Sequence, residues 1–331
     1  MANVAVIGAG TWGCALASTL SDNGHNVTLW AYLEKEADAI KNNHECPNLP
    51  GQKLSEKISV TTDIGEASKG RDLLVFAVPS VATRSTAKNV APFIENGDMI
   101  VTVSKGIEES TLMTQCEIIQ EEIPNANVGV LSGPTHAEEV IRKIPTAIVA
   151  GAADKKLALF IQELFMNDYF RVYTSDDVQG IELGGSLKNV IALAAGMSDG
   201  LGAGDNTRAA LMTRGIKEIS ELALAMGANP ETLAGLSGIG DLIVTCSSVH
   251  SRNHRAGELI GQGYTYEEAM EKVAMVVEGV YSAKAAKALG EKYKVELPII
   301  NAVNKVLFEG LKAKDGMYEL MHRNKKAEYD N

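Results

Sequence analysis

One lysine, Lys188, lies inside an otherwise apolar segment, GGSLKNVIALAA at residues 184–195, that we predict to be a helix. Residues three or four positions apart share a helix face. Four small residues flank the lysine on that side of the helix: Gly184, Gly185, Ala192 and Ala195. Small neighbours leave room beside the ammonium group, and partial burial would lower the pKa of the lysine toward neutrality. Such a lysine can donate and accept the proton when a ketone and an alcohol interconvert; the alternative is a surface lysine among incidental alanines.

Two polar residues could assist this lysine. Asn189 adjoins it in sequence and could orient a substrate or cap a backbone group. Asp241 follows a glycine pair in the segment GIGD, where its carboxylate is free to pair with a lysine such as Lys188. On its own, an aspartate in this position is more often a turn or N-cap residue.

The tripeptide Ser251-Arg252-Asn253 precedes a predicted helical run at residues 256–260. A hydroxyl, a guanidinium and an amide beside a helix start suit a phosphate group, because arginine offers a fork of donors and the helix end offers free amides. Three basic neighbours add local positive charge or are simply exposed: His250, His254 and Arg255. We therefore predict a phosphate site here.

Two loops that follow predicted strands carry further candidates. Lys105 lies in the segment VSKG, and Gly133 and Thr135 lie in SGPT. Ligands of open α/β sheets bind at the carboxyl ends of strands, so all three residues are placed to contact one. Lys105 could instead be a solvated loop lysine. Thr135 with Glu138 also matches a capping box at a helix start.

The segment GAGTWG, residues 8–13, follows a predicted strand and opens a predicted helix. In a dinucleotide-binding loop of this pattern, Gly8 makes the tight turn and Gly10 lets the backbone approach a pyrophosphate. Gly13 then lets the helix pack closely on the strand, and the helix N-terminus supplies amide donors. This context favours a dinucleotide site over an ordinary strand–helix turn.

The end of the second predicted strand leaves the choice between NAD and NADP open. NAD-binding proteins usually place an acidic residue there, whereas NADP-binding proteins often use an arginine nearby. This chain has Ala31-Tyr32-Leu33, with Glu34 and Lys35 only afterwards. Tyr32 could stack near an adenine or be a surface aromatic residue.

Short β-branched runs alternate with helical patterns in the first half of the chain, which predicts βαβ units and a parallel, doubly wound sheet covered on both faces. The predicted strands are Asn3–Ile7, Asn26–Trp30, Asp72–Val78, Met99–Ser104, Val128–Leu131, Ala147–Val149 and Arg171–Tyr173. The predicted helices between them are Thr11–Asn23, Val81–Pro92, Thr111–Glu122 and Lys155–Met166. From about residue 178 the pattern is helical, so we predict a Rossmann-type domain at 1–178 and an all-helical domain at 179–331.

Composition narrows the classes of function. The 331 residues carry a formal charge of −11, which argues against nucleic-acid or anionic-membrane binding as a main role. The four cysteines show no paired spacing, which favours reduced thiols and a cytoplasmic protein. We expect no signal peptide, no membrane-spanning helix and no catalytic metal, since no histidine or cysteine spacing suits one.

Taken together, the motifs closely resemble those of the bacterial NAD(P)-dependent glycerol-3-phosphate dehydrogenases, over nearly the whole chain. The motifs that carry the resemblance are GAGTWG at 8–13, VSKGIE at 103–108, LSGPTHAEE at 131–139, SLKNVIALAAG at 186–196, GIGDLIVTC at 238–246, SRN at 251–253 and VVEGV at 276–280. Their order along the chain is far more specific than any one motif.

The resemblance implies a Rossmann domain joined to a helical domain similar to that of 6-phosphogluconate dehydrogenase. It implies interconversion of sn-glycerol 3-phosphate and dihydroxyacetone phosphate with NAD or NADP, mainly toward glycerol 3-phosphate for phospholipid synthesis. Lys188 then resembles the family's proton acceptor, assisted by Asp241 and Lys105. The implied substrate contacts are Lys105, Gly133, Thr135, Asp241, Ser251, Arg252 and Asn253. The implied cofactor contacts are Thr11, Trp12, Lys105, Ala137, Arg252, Val276 and Glu278.

Two departures from the family pattern matter. The family often has a basic residue or histidine where this chain has Tyr32 and Leu33, so NADP preference is open. The segment 45–50 also lacks the tyrosine that the family commonly has before its Leu-Pro. The partner implied is a small phosphorylated molecule and not a nucleic acid, and a homodimer is left open. A related 3-hydroxy-acid dehydrogenase and a non-catalytic dinucleotide sensor are the alternatives.

Overall fold

The computed structural model describes residues 1–325, 327 and 328. The first half of the chain contains the strands β1 (Asn3–Ile7), β2 (Asn26–Trp30), β3 (Ser59–Thr61), β4 (Leu73–Phe76), β5 (Met99–Thr102), β6 (Asn127–Ser132), β7 (Thr146–Ala152) and β8 (Phe170–Ser175). They form one sheet in the order β3-β2-β1-β4-β5-β6-β7-β8. The carboxyl ends of β1, β4 and β5 therefore meet at one edge, where the sequence placed the glycine loop and Lys105.

The helices of the first half cover both faces of this sheet. They are α1 (Thr11–Asp22), α2 (Glu34–Asn43), α3 (Ile64–Ser68), α4 (Thr83–Val90), α5 (Gln115–Glu122), α6 (Ala137–Val140) and α7 (Lys155–Phe165), with 3-10 turns at Ser80–Ala82 and Ala91–Phe93. Along β1, Val4 and Val6 pack into one core cluster and Ala5 and Ile7 into another. A strand buried on both sides needs a continuous apolar run, which explains why the central strands are so evident in the sequence.

All seven predicted strands are present, and β1 and β2 have the predicted bounds. The short edge strand β3 was missed. The expectation of a wholly parallel sheet was wrong at one pair, because β6 and β7 are antiparallel. Only the four-residue α6 lies in the connection between them, and one helical turn is too short to carry the chain back along the sheet for a parallel pairing.

The predicted helix at 111–122 begins later than expected. The helix starts at Gln115, because Thr114 and Glu117 form a capping box at that point. The capping box expected at Thr135 and Glu138 is absent. The N-cap of α6 is His136 and has no side-chain cap bond, while the Thr135 hydroxyl donates to the carbonyl of Gly133.

The second half is helical throughout its described residues. Its helices are α8 (Val178–Gly200), α9 (Asp205–Ala225), α10 (Pro230–Leu233), α11 (Asp241–Ser247), α12 (Arg252–Gly261), α13 (Tyr266–Val273), α14 (Glu278–Tyr293), α15 (Pro298–Phe308) and α16 (Ala313–Met321), with a π-helical turn at Leu236–Gly240. The 23-residue α8 is buried on nearly all sides and the other helices pack around it.

Glycines let α8 and α12 approach closely. A Cβ atom on Gly196 of α8 would lie 2.0 Å from a backbone oxygen of α12, and one on Gly257 of α12 would lie 2.1 Å from a backbone oxygen of α8. Gly200 and Gly261 repeat the arrangement one turn further along. Backbone contact of this kind fixes where α12 begins relative to α8, and so where Arg252 lies.

The junction between the halves lies between β8 and α8. β8 ends at Ser175, and the carboxylate of Asp177 caps α8 by accepting from the amide of Gly180 at 2.9 Å. The buried Glu182 of α8 in turn accepts from Thr114 and from the amide of Cys116 at the start of α5. The first turns of α8 are thus hydrogen-bonded to the sheet half. The domain boundary at residue 178 stays a prediction.

Within residues 1–325, 327 and 328, no single helix is long and apolar enough to cross a bilayer. One bent pair of helical segments, Pro230–Ser247 and Arg252–Gly261, reaches that length and composition jointly, with a bend of 51°.

Candidate active site

Lys188 of α8 and Asp241 of α11 form a buried ion pair. Lys188 is 5% exposed and Asp241 is 1% exposed. The ammonium Nζ lies 2.5 Å from the Oδ1 atom of Asp241. Asp241 is the first residue of α11, and the π-helical turn before it brings its side chain against α8. The suggested pairing of these two residues is present in the structure.

Lys105 reaches the same carboxylate from the sheet half. Its Nζ donates to the Oδ2 atom of Asp241 at 2.7 Å and to the carbonyl oxygen of Gly133 at 3.0 Å. Its side chain is 18% exposed, so this ammonium borders the accessible side of the cluster. One carboxylate therefore lies between two ammonium groups from different halves of the chain, and the cluster has a net positive charge.

Burial lowers the pKa of Lys188 to about 8, against the opposing effect of the Asp241 carboxylate, which favours the charged form. The positive charge of Lys105 acts in the same direction as burial and contributes to this value. A lysine with this pKa is present in both protonation states near neutral pH, as expected from its position among small residues. The site can therefore hold or release a proton at Nζ.

The small residues beside Lys188 make room for neighbouring protein atoms. A Cβ atom on Gly184 would lie 2.6 Å from the carbonyl oxygen of Ser237, and one on Gly185 would lie 2.8 Å from the Ser132 hydroxyl. The end of β6 and the turn before α11 can approach α8 only because these positions lack side chains. The space beside Gly184 and Gly185 is therefore filled by protein atoms and is not left for a ligand alone.

Thr245 also contacts the lysine and was not identified from the sequence. Lys188 Nζ lies 2.6 Å from the Thr245 hydroxyl, which donates to the backbone carbonyl of Asp241 at 2.6 Å. Thr245 lies four residues after Asp241 on α11, so the two side chains share a helix face. That spacing after a predicted acidic partner is the signal that could have identified it.

The tripeptide at 251–253 lies at the start of α12. The helix begins at Arg252, four residues earlier than expected, because the Ser251 hydroxyl caps it by accepting from the amide of His254 at 3.2 Å. Arg252 is half-buried. Its charge also acts on Glu278, whose pKa is raised by burial and lowered again by nearby groups, Arg252 among them.

Asn253 and Asn189 are linked. The Asn253 amide donates to the Oδ1 atom of Asn189 at 3.0 Å, and its own Oδ1 accepts from the backbone amide of Gly279 at 2.8 Å. Asn253 therefore ties α12 to both α8 and α14. Of the basic neighbours, His254 pairs with Asp199 at 2.7 Å, whereas His250 and Arg255 are exposed.

The backbone of residues 8–13 has the shape that a dinucleotide pyrophosphate needs. Gly8 has a φ of +123°, and a Cβ on Gly13 would lie 1.9 Å from the Gly8 carbonyl oxygen. A Cβ on Gly10 would meet nothing within 4 Å, so open space lies over the start of α1. No side chain caps that helix, which leaves its first amides free for an anionic group. The loop fits a dinucleotide.

The remaining predicted cofactor contacts lie on other elements: α6, the start of α14 and the end of β2. Glu278, at the start of α14, accepts from both the amide and the hydroxyl of Ser80 across the junction. Val276 precedes it and is half-buried, and Ala137 is the buried first residue of α6. Tyr32 is 78% exposed and contacts Trp30 edge-on, with ring centroids 6.0 Å apart. Its ring is thus available at the end of β2, but its position favours neither NAD nor NADP.

No group of three or more histidine, cysteine or acidic side chains within the described part of the chain could hold a metal ion. All four cysteines are free and buried.

Two family models match the chain. One describes the N-terminus of NAD-dependent glycerol-3-phosphate dehydrogenase and matches residues 3–158, and the other describes its C-terminus and matches residues 177–318. The chain belongs to the NAD-dependent glycerol-3-phosphate dehydrogenase family. The recognition made from the ordered motifs is thereby confirmed.

Relatives within this family are similar over their full length. The glycerol-3-phosphate dehydrogenase [NAD(P)+] of Agathobacter rectalis is 61% identical over 100% of this chain and 99% of its own. That of Fusobacterium nucleatum is 55% identical over 99% of each chain. The solved structure of glycerol-3-phosphate dehydrogenase from Coxiella burnetii has a TM-score of 0.94 at 34% identity, over 97% of this chain and 99% of its own. The predicted fold class, a Rossmann-type sheet followed by a helical domain, is confirmed.

As a member of the NAD-dependent glycerol-3-phosphate dehydrogenase family, the chain is an oxidoreductase that uses NAD or NADP. A ketopantoate reductase structure from Ralstonia eutropha shares the fold, with a TM-score of 0.61 at 17% identity. The two-domain plan is therefore wider than the family, so the fold alone does not identify the substrate.

Proposed function

We propose that this protein catalyses the reversible oxidation of sn-glycerol 3-phosphate to dihydroxyacetone phosphate with NAD or NADP, and that Lys188 exchanges the substrate proton. Family membership supports the reaction. The observation that carries the catalytic assignment is the buried Lys188 ammonium between Asp241 and Thr245. In the cell, reduction of the ketone would supply glycerol 3-phosphate for phospholipid synthesis.

Lys188 acts as an acid in one direction and as a base in the other. During ketone reduction its ammonium form donates a proton to the C2 oxygen, and during alcohol oxidation its neutral form accepts that proton. With a pKa of about 8, both forms are accessible near neutral pH. Asp241 holds the Nζ atom in position and stabilises the charge that returns to it, while Lys105 adds a second positive charge toward the substrate oxygen.

The substrate phosphate is assigned to the start of α12. Arg252 offers guanidinium donors, and Ser251 and Asn253 lie on either side of it. The carbonyl of Gly133 accepts from both Lys105 and the Thr135 hydroxyl, and we assign Gly133 and Thr135 to the substrate side. Because α12 is held to α8 by glycine contacts, an anchored phosphate keeps the three-carbon chain at a fixed position relative to Lys188. Such positioning lowers the barrier by up to about 7–11 kcal/mol in favourable cases.

The dinucleotide is assigned to the glycine loop. The groups that would hold it are the backbone of Gly8, Gly10, Thr11, Trp12 and Gly13, with Tyr32, Lys105, Ala137, Arg252, Val276 and Glu278 around it. When bound, the nicotinamide supplies or accepts the hydride. Glu278 bonds Ser80 across the junction, and so holds α14 against the sheet half beside this loop.

A cytoplasmic location is also part of this proposal. The four free, buried cysteines are consistent with a reducing compartment. The small phosphorylated substrate and the net charge of −11 leave no role for nucleic acid.

The decisive experiment combines the predicted substrate with the variant Lys188→Met. Oxidation of NADH and of NADPH is followed with dihydroxyacetone phosphate and with non-phosphorylated keto acids. We expect turnover with dihydroxyacetone phosphate to fall about 10²–10⁴-fold in Lys188→Met, because the proton donor is lost. NADH binding, followed by its fluorescence, should stay close to that of the unmodified protein. Lys217→Met, at a partly exposed lysine of α9, is the matched control and should retain activity.

Each alternative has its own outcome in this experiment. Turnover of 3-keto acids in preference to the phosphorylated ketone would identify a 3-hydroxy-acid dehydrogenase. NADH binding without turnover of any substrate would identify a dinucleotide sensor. Near-normal turnover in Lys188→Met would refute the proton role of that lysine even if the substrate proved correct.

A further inference from the structure

Two of the four cysteines lie next to each other and contact the backbone of the glycine loop, residues 8–13. Cys14 belongs to α1 and is 0% exposed, and Cys46 belongs to the segment between α2 and β3 and is 1% exposed. Both sulfur atoms contact one backbone oxygen, the carbonyl of Ala9, at 3.4 Å for Cys14 and 3.8 Å for Cys46. Ala9 lies between Gly8 and Gly10, so both thiols contact the backbone of the glycine loop.

The two thiols differ in acidity. A hydrogen bond from Cys14 lowers the pKa of Cys46, and the backbone amide of Asn48 acts in the same direction against the effect of burial. The same thiol–thiol contact, with burial, raises the pKa of Cys14. Burial raises the pKa of the other two cysteines, Cys116 and Cys246. Cys46 is therefore the thiol most readily converted to the nucleophilic thiolate, and Cys14 is next to it.

We propose that Cys46 and Cys14 form an oxidation site in which peroxide converts the two thiols to a disulfide and thereby weakens dinucleotide binding. The Cys46 thiolate attacks hydrogen peroxide, which breaks the O–O bond, releases hydroxide and leaves a sulfenic acid on Cys46. The Cys14 sulfur then attacks the Cys46 sulfur, displaces its hydroxyl and loses its own proton, so that one water leaves. Two thiols are oxidised by two electrons in all, and one peroxide is reduced to two waters.

Both thiols are buried, so we infer that peroxide reaches them when the segment that contains Cys46, residues 44–54, opens. Residues 44–54 contain no helix, and their β pairing is a single isolated bridge between Glu45 and Lys53. Leu49 and Leu54 anchor the segment in the core. A segment held by so few contacts opens at lower cost than the sheet beneath it. The rate of oxidation should therefore follow this local opening.

The disulfide would alter the loop directly, because the Ala9 carbonyl loses both thiol donors and the segment 44–54 becomes tied to α1. This consequence rests on the proposed assignment of residues 8–13 as the dinucleotide loop. We expect oxidation to weaken NADH binding by about tenfold or more, and by linkage bound NADH should slow disulfide formation by a similar factor.

The test uses the full-length protein, reduced and then treated with hydrogen peroxide. Non-reducing peptide mass spectrometry should detect a Cys14–Cys46 crosslink, the NADH dissociation constant should rise, and dithiothreitol should reverse both changes. Cys46→Ala should form no crosslink, and its NADH affinity after peroxide treatment should equal its own affinity before treatment. Cys116→Ala, which changes another buried cysteine, should remain as sensitive as the unmodified protein.

The outcomes separate this inference from the proposed function. Absence of the crosslink, or a crosslink that leaves NADH affinity unchanged, overturns the oxidation site. Loss of NADH affinity in oxidised Cys46→Ala also overturns it, because another residue would then be responsible. Failure of the reduced protein to bind NADH instead contradicts the cofactor assignment, whereas crosslink detection does not depend on that assignment.

Discussion

Replacing Asp241 with asparagine removes the carboxylate that lies between the ammonium groups of Lys105 and Lys188, with almost no change in side-chain size. An amide oxygen still accepts a hydrogen bond but stabilises the ammonium form far less. A hydrogen bond to a charged group contributes about 1.5–3 kcal/mol, and one pKa unit corresponds to about 1.4 kcal/mol. The pKa of Lys188, now about 8, should therefore fall by about 1 to 2 pKa units in Asp241→Asn.

The direction of the effect on rate follows from the protonation state that each reaction needs. Ketone reduction needs the ammonium form, so its rate falls as pH rises through the pKa of Lys188. With a pKa of about 8 the lysine is about nine-tenths protonated at pH 7, and with a pKa of about 6.5 it is about one-quarter protonated. Protonation alone should thus reduce ketone reduction about fourfold at pH 7. Alcohol oxidation needs the neutral form, so its rising limb should move to lower pH as well.

The assay is kcat/KM for NADH oxidation with dihydroxyacetone phosphate, measured between about pH 5.5 and about pH 9.5, where acid and base limbs report the free enzyme. Thr245→Val is the matched control, since it removes a neutral partner of the same Nζ atom and should move the limb less, in the same direction. Thermal unfolding checks that both variants fold. A limb in Asp241→Asn that coincides with the unmodified one, or moves to higher pH, would refute the assignment of Lys188 as the titrating group.

Three further substitutions, one of them with a matched control variant, test how the site is positioned. Arg252→Ala should raise the KM for the phosphorylated substrate much more than it lowers kcat, because the phosphate anchor is lost; steady-state kinetics decide this. Gly10→Ala should fold normally, since a Cβ there meets nothing within 4 Å, yet should weaken NADH binding in a fluorescence titration. Gly13→Ala, its matched control, places a Cβ 1.9 Å from a carbonyl oxygen and should lower the melting temperature. Gly257→Ala should lower the melting temperature and raise the substrate KM together, because it pushes α12 away from α8.

Much of the sheet could be predicted from sequence because its central strands are buried on both faces. Such strands need uninterrupted apolar runs, and Asn3–Ile7 and Asn26–Trp30 were found with their observed bounds. The edge strand Ser59–Thr61 has three residues and no apolar run, so no local signal identified it. β7 runs antiparallel to β6 because the connecting helix α6 is short, and the helix propensity of the sequence did not show how short this helix is.

The site was predictable in its residue types but only partly in its contacts. Lys188 was identified because it is a charged residue in an apolar helical segment. Burying such a charge is unfavourable unless an oppositely charged or hydrogen-bonding group pairs with it. Lys105 was assigned to the same site as Lys188, but its contact with Asp241 depends on how the sheet and the helices meet, which no local pattern encodes. Thr245 was missed because a threonine has no charge to draw attention. Ser80, which is 198 positions from its partner Glu278, was missed for the same kind of reason.

An acidic protein with an anionic substrate has to concentrate its positive charge, and this chain does so by burial. The whole chain has a formal charge of −11, yet Lys105 and Lys188 share one carboxylate, Asp241, and Arg252 begins the helix α12 that packs on α8. The Glu278 carboxyl on α14 accepts hydrogen bonds from both the amide and the hydroxyl of Ser80. Attraction between opposite charges is stronger in surroundings that screen charge less than water. Each additional negative charge on the substrate therefore adds more binding energy there. A phosphate dianion should therefore bind more tightly than a carboxylate of similar size, which is the electrostatic reason to expect a phosphorylated ketone here.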